Sequence, residues 1–327
     1  MTRLPRRALI PLAVLVLLLL GLVAFVRHIP PALAADVAVE HVLAPDPDDK
    51  PLRLTIWTPR DAAGPLPLVL ISHGTGGAPD NHADLAAALV HAGFIVAGAA
   101  HTGDTTRDMS YVGKRTLLNG RPRHVVRELD YLLHAWPGRA RIDAARIGLY
   151  GYSAGGFTGL VVAGGEPDLS RFPAHCRAHP PAWDCNYLKR HGARLDAMPV
   201  PQSWPHDPRI RALVLAAPAV SYGFDRDRLA QVRVPLQLWA ADRDEIVGTS
   251  AVEFAQMLPA GLEFHAVPNA GHFAFMQPCT TNLRILIGVL RHFGTPPICT
   301  DPPGFDRKAF HRQFNPAVVA FFRQNLR

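Results

Sequence analysis

The residues with the most chemical promise lie in IGLYGYSAGGFTGL (147–160), where an apolar run meets one serine, Ser153, fenced by Gly151 and Gly155. A serine hydroxyl is inert near neutral pH unless a base takes its proton, and that base needs a third group to orient it. A serine held on a sharp strand-to-helix turn needs nearly bare residues two before and two after, because strand and helix approach closely there. Gly151 and Gly155 meet that demand. With 26 glycines in 327 residues, chance supplies roughly 0.04 such Gly-x-Ser-x-Gly matches. A plain turn is therefore the lesser reading, and Ser153 reads as a nucleophile.

The base and the acid should follow later in the chain. Of sixteen histidines, His272 in PNAGHFAF stands in a glycine-marked loop just beyond the last expected strand, where an imidazole can reach the serine. His265 falls inside a strand pattern, and His292 and His311 read as helical surface positions. For the acid, LQLWAADRDEIVG offers Asp242, Asp244 and Glu245 after a strand. Asp244 fits best because Ile246 and Val247 behind it can re-enter the core; Asp242 is the alternative, as a loop-stabilising partner. Attack on a carbonyl creates an oxyanion that needs preorganised N–H donors. The amide of Ala154, after the nucleophile, is one. The glycine-rich ISHGTGG (71–77) follows a strand and offers Thr75 as the other, unless it merely closes that strand.

These residues need a frame. Apolar runs at 37–43, 52–57, 67–72, 94–100, 146–150, 211–216, 234–240 and 262–267 read as strands. Helical spacing marks 81–92, 123–136, 154–163, 249–258, 281–293 and 308–325. Alternating strands and helices predict a mostly parallel sheet covered on both faces, with an antiparallel start where the first two strands lack a helix between them. The proline- and tryptophan-rich segment 165–209 breaks the rhythm and reads as a cap-like insertion. Its Trp183, Tyr187 and Trp204 are expected either to shape an acyl pocket or to pack the cap on itself.

At the N-terminus, MTRLPRR, the apolar run Ala8–Val26 and HIPPALAAD follow one another in the order of a secretory signal. The apolar run is also close to the ~20 residues that span a bilayer, so residues 1–35 read as a cleaved signal or, alternatively, a retained anchor giving membrane association through residues 8–26. Either way residues 36–327 are expected to be exported, periplasmic or secreted. Without Arg3, Arg6, Arg7 and Arg27 the net charge of +7 falls to +3, and the other arginines are scattered. No basic stripe suggests nucleic acid. Cys176, Cys185, Cys279 and Cys299 read as disulfides in an oxidising compartment. Local pairing, Cys176 with Cys185 and Cys279 with Cys299, would rigidify the cap and the segment after His272. No Cys-x-x-Cys or His-Glu-x-x-His spacing points to a metal.

The ordered set LVLISHGTGG, GYSAGGFTGL, DPRIRALVLAAPA, WAADRDEIV and AGHFAF resembles the α/β-hydrolase superfamily. More narrowly it is similar to the predicted dienelactone-hydrolase and platelet-activating-factor-acetylhydrolase-like branch, over most of the chain from about residue 37. The resemblance implies an α/β-hydrolase fold, Ser153 as nucleophile, Asp244 as acid, His272 as base, and the amides of Thr75 and Ala154 as oxyanion hole. The expected activity is a serine carboxylesterase without cofactor, acting on a small-molecule or lipid-like ester. Dienelactone hydrolases use a cysteine nucleophile, and the insertion departs from lipid-specific acetylhydrolases, so neither specificity carries over. A peptidase or amidase with the same triad is the nearest alternative, and a non-catalytic binding protein on a hydrolase fold the more distant one.

Overall fold

The computed structural model describes residues 36–327 except positions 63, 113–115, 181, 191, 193–202, 248–249, 260 and 294. The expected leader or anchor at 1–35 lies outside the described residues, as do part of the insertion and the start of the helix expected at 249. The described residues fall into two compact units, one formed by 36–277 with 301–327 and the other taking in 278–300.

The larger unit is built on eight strands: β1 (Val37–Ala44), β2 (Leu52–Pro59), β3 (Leu66–Ser72), β4 (Ile95–Ala100), β5 (Ile142–Tyr152), β6 (Ile210–Ala216), β7 (Leu236–Ala241) and β8 (Glu263–Val267). They form one sheet in the order β1-β2-β4-β3-β5-β6-β7-β8. β1 and β2 pair antiparallel, as do β2 and β4, and every later pair is parallel. The central strands are apolar along their whole length because helices cover both faces and leave neither side wet. Leu68, Leu70, Leu149, Leu213 and Leu238 are all fully buried, each contributing about 1.5–3 kcal/mol relative to exposure.

The connecting helices are α1 (Ala83–His91), α2 (Thr116–His134), α3 (Ala154–Val162), α4 (Phe172–Ala178), α5 (Trp183–Arg190) and α6 (Ser250–Ala255), with a long C-terminal helix, α8 (Arg307–Asn325). The helical spacing at 123–136 locates α2 but not its start, since the helix begins at Thr116. Every residue of α3 is buried, which its small and apolar composition allows and a polar helix would not. The insertion is more ordered than its prolines suggest. It contains α4 and α5, joined by the Cys176–Cys185 disulfide, over a small cluster of Val112, Phe172 and Cys185.

The smaller unit carries α7 (Thr281–Leu290). Thr280 caps its N-terminus through a hydrogen bond from the Leu283 amide, and the Cys279–Cys299 disulfide closes the segment over Ile287.

Candidate active site

The ends of β5 and β6 and the segments after β3 and β8 meet at Ser153. The serine stands between β5 and α3 with φ 54° and ψ −118°, a left-handed conformation that a non-glycine residue adopts only when its surroundings impose it. Those surroundings are backbone. The Ser153 amide donates to Ala216 O at 2.9 Å, and its carbonyl accepts from Gly156 N at 2.8 Å and Ala219 N at 3.0 Å. A Cβ added at Gly155 would lie 1.8 Å from Ser72 O, and one at Gly151 would lie 2.3 Å from Gly155 O. Both glycines are there because strand, turn and helix touch.

His272 opens a short 3₁₀ turn (His272–Phe275) after β8. Its Nε2 lies 3.0 Å from Ser153 Oγ and its Nδ1 lies 2.8 Å from Asp244 Oδ2. The carboxylate can only accept, so Nδ1 carries the proton and Nε2 presents a lone pair to the serine. Asp244 follows β7, and its other oxygen accepts from the Ile246 and Val247 amides at 2.9 and 2.8 Å. That fixes the carboxylate from behind. Asp242 is exposed, whereas Ser153, Asp244 and His272 are each less than a tenth exposed. The structure thus brings the three residues together in one hydrogen-bonded line.

Other groups hold His272 from sides that its sequence context does not reveal. Its amide donates to Glu245 Oε2 at 3.0 Å, and its carbonyl accepts from the Tyr152 hydroxyl at 3.2 Å. His311 on α8 is buried rather than a surface position. Its Nε2 donates to Ala274 O at 2.8 Å and its Nδ1 faces Asp84, so it ties the 3₁₀ turn to α1. Only tertiary packing places these residues; their spacing carries no signal, although Glu245 is adjacent to Asp244.

The loop after β3 runs beside the serine, and a Cβ added at Gly74 would stand 3.2 Å from Ser153 Cβ. Thr75 is therefore one residue from the immediate contacts of Ser153, and Ala154 directly follows Ser153. Beneath this loop lies a buried polar group set. Burial is the first cause that holds His73 and His101 well below the ordinary imidazole range, with the Arg121 charge adding to it. The tautomer of His73 follows from its partners: Nδ1 donates to Gly74 O at 2.7 Å and Nε2 accepts from the His101 amide at 3.1 Å.

The aromatic residues of the insertion separate. Trp183 lines a cavity of about 600 Å³ together with Asn186, Lys189, Arg190 and Glu245. Tyr187 stacks on Trp183 at 4.4 Å. Trp204, expected either to shape the acyl pocket or to pack the cap on itself, belongs to the main core, buried edge-on against Phe157 of α3. Its bulk is too apolar to stay exposed where α3 offers a covered face. All four cysteines are paired, Cys176 with Cys185 and Cys279 with Cys299. Among the described residues, His175, Asp184 and Cys185 form a grouping of ligand type, but its sulfur is consumed by the disulfide.

No protein-family model matches this sequence, and no curated protein does. Solved structures do resemble it. A dienelactone hydrolase from Anabaena variabilis aligns with TM-score 0.54 at 15% identity, covering 89% of this chain and all of its own. A ferulic acid esterase from Streptomyces cinnamoneus aligns with TM-score 0.56 at 16% identity, covering 91% of this chain and 92% of its own. At that identity the likeness is one of fold, and the fold is the one that the ordered motifs imply.

Proposed function

We propose that this chain, which has the α/β-hydrolase fold, is a serine carboxylesterase. The observation that carries the reading is the line Asp244–His272–Ser153, with bonds of 2.8 and 3.0 Å, ending on a serine in a strained turn. Strain of that kind is maintained where it positions a reacting atom. The hydrolase and esterase names of the similar structures support the class.

In this reading His272 Nε2 takes the Ser153 proton as Oγ attacks the ester carbonyl, while Asp244 stabilises the imidazolium. The oxyanion is received by the amides of Thr75 and Ala154. The tetrahedral species collapses, the alcohol leaves with the proton from Nε2, and the acyl group stays on Ser153. Water deprotonated by His272 then releases the acid. The substrate is a small-molecule or lipid-like ester, with Trp183 and Tyr187 near its path. No cofactor takes part. The two disulfides fit an oxidising compartment; residues 1–35 serve as signal or anchor for export to the periplasm or beyond, and no described helix is long and apolar enough to cross a membrane.

The test is covalent labelling of Ser153 by a fluorophosphonate, alongside aryl esters from acetyl to palmitoyl and matched amides. Ser153→Ala should abolish both labelling and turnover, a loss on the order of 10⁶. Asp244→Asn should cost about 10⁴ in kcat and Asp242→Asn little, because only the residue bonded to Nδ1 sets the tautomer. Faster amide than ester turnover would favour an amidase, and an unlabelled wild-type protein would refute the reading.

A further inference from the structure

An arginine with almost no solvent exposure sits beneath the loop that runs past Ser153. Arg121, on α2, is 1% exposed, and its guanidinium donates in three directions. One terminal nitrogen donates to the His73 carbonyl and the other to Asp104 Oδ2, while Nε donates to Thr158 Oγ1 at 3.3 Å. Each contact leads onward. Asp104 Oδ1 accepts from the Gly76 amide at 2.8 Å, and the Thr158 hydroxyl donates to Ala154 O at 2.9 Å. His73 in turn fixes Gly74 O through Nδ1.

Thr75 is therefore bracketed. The residue two before it is tied to Arg121 and the residue after it to Asp104. The same guanidinium reaches, through Thr158, the first turn of the helix that begins with Ala154. The two amides assigned to the oxyanion lie on separate segments 79 positions apart in sequence, from Thr75 in a loop to Ala154 at the start of α3, and one buried cation is bonded to both sides. Planar, forked donors suit this work, and a lysine cannot reproduce them. The location is costly: burial alone opposes both charges, pushing Asp104 up and Arg121 down, each partly offset by the other. An ion pair so placed adds little to stability compared with apolar residues of the same volume.

We propose that Arg121 and Asp104 are positioning residues that hold the two oxyanion donors in register. Neither touches the substrate; they act through the 73–76 backbone and through Thr158. This inference rests on the esterase reading for its kinetic consequence, though the clamp itself can be read without catalysis.

The experiment compares the wild-type chain with Arg121→Met/Asp104→Asn and Arg121→Lys. The double variant removes both charges while the introduced amide oxygen can still accept from Gly76, so it avoids an unpaired buried charge. Expected for the double variant are an unchanged near-UV spectrum, kcat for an aryl acetate lower by about 10²-fold or more, as for loss of an oxyanion donor, and KM within about two-fold. Affinity for a boronate transition-state analogue should fall in step with kcat. Hydrogen exchange in the peptide spanning residues 73–77 should rise at least ~10-fold, since local opening sets that rate. Arg121→Lys keeps the charge and loses the fork, so it should lose about ten-fold in kcat and decides the matter if the double variant does not fold. A folded variant with wild-type kcat and wild-type exchange at 73–77 would overturn the proposal. Failure of the esterase reading is distinguishable, because it shows as a wild-type protein that neither labels at Ser153 nor turns over ester, while the exchange measurement still reports on the clamp.

Discussion

The backbone amide of His272 and the carboxylate of Glu245 are joined at 3.0 Å, one residue away from the Asp244 carboxylate that receives the same histidine's imidazole. Two neighbouring acids thus divide the labour on one residue. Asp244 sets the ring, and Glu245 sets the main chain from which the ring projects. A side chain at Gly271 would meet Glu245 Oε2 at 2.9 Å, so the approach is close.

Glu245→Ala should therefore lower kcat by roughly 10-fold, because displacement of a base by even 1 Å is costly. Glu245→Gln retains an acceptor for the amide and should keep most of the rate. Steady-state kinetics on an aryl ester check the ranking, and a milder effect from Ala than from Gln would contradict it.

Gly155→Ala should be far more damaging than a glycine change at an open position. Its Cβ would lie 1.8 Å from Ser72 O and 2.9 Å from His73 O, both backbone atoms that cannot swing aside. The expected cost exceeds ~3 kcal/mol, the upper range for overpacking. Gly288→Ala in α7 meets nothing within 4 Å and should gain about 0.5–1 kcal/mol in its helix. Melting temperatures of the two variants give the comparison.

The Asp244–His272–Ser153 line was legible because each member comes with a local signature: bare neighbours around Ser153, and loops directly after strands for Asp244 and His272. The sheet was legible because β2 to β7 are apolar runs bounded by turns. Arg121, Asp104 and His311 were not legible. An arginine or histidine in a helical pattern reads as solvent-facing, and only the fold shows that α2 turns Arg121 inward and α8 turns His311 toward Ala274. Prolines hid α4 and α5, since Pro173 sits in the first turn of α4, where its missing N–H costs nothing. Trp204 could be read only as a pocket or cap residue because sequence shows its size but not its neighbour Phe157.

Glu128, fully buried on α2, is pushed up by burial to about 8 from an ordinary 4.5. Between these values the native protein keeps a proton that the unfolded chain has released. Its contribution is thus complete below pH 4.5 and is lost as pH rises toward 8. Glu128→Gln is neutral throughout, so its stability advantage over wild type should be near zero at about pH 4.5 and grow to about pH 8, with an upper bound of ~5 kcal/mol. His82 and His124, lowered by burial to about 4 and about 3, act in the opposite sense and lose stability as pH falls below 6.5. They are common to both proteins and cancel in the difference. Denaturant melts at about pH 4.5, 6 and 8 give the slope, and a constant offset would refute it.

The Cys176–Cys185 bridge closes a nine-residue separation between α4 and α5. Loop closure of that length stabilises by about 2.5 kcal/mol in the chain-entropy account. Cys176→Ser/Cys185→Ser should make residues 165–209 the first site of proteolytic cleavage while the sheet remains folded. Mass spectrometry of timed digests reads the order of cutting; equal resistance of the insertion in both proteins would count against it.

Ser153 and His272 are 119 residues apart in the chain, and Asp244 and His272 are 28 apart. Between β5, which leads to Ser153, and β8, which leads to His272, stand β6 and β7, each of which must dock in register before the imidazole faces the hydroxyl. A chain emerging from synthesis has Ser153 early and His272 only after β8. Long-range closure of this sort comes late and slowly in folding. A fluorophosphonate that reacts only with the assembled line therefore counts finished molecules, and its labelled fraction during refolding is a clock for completion of the sheet.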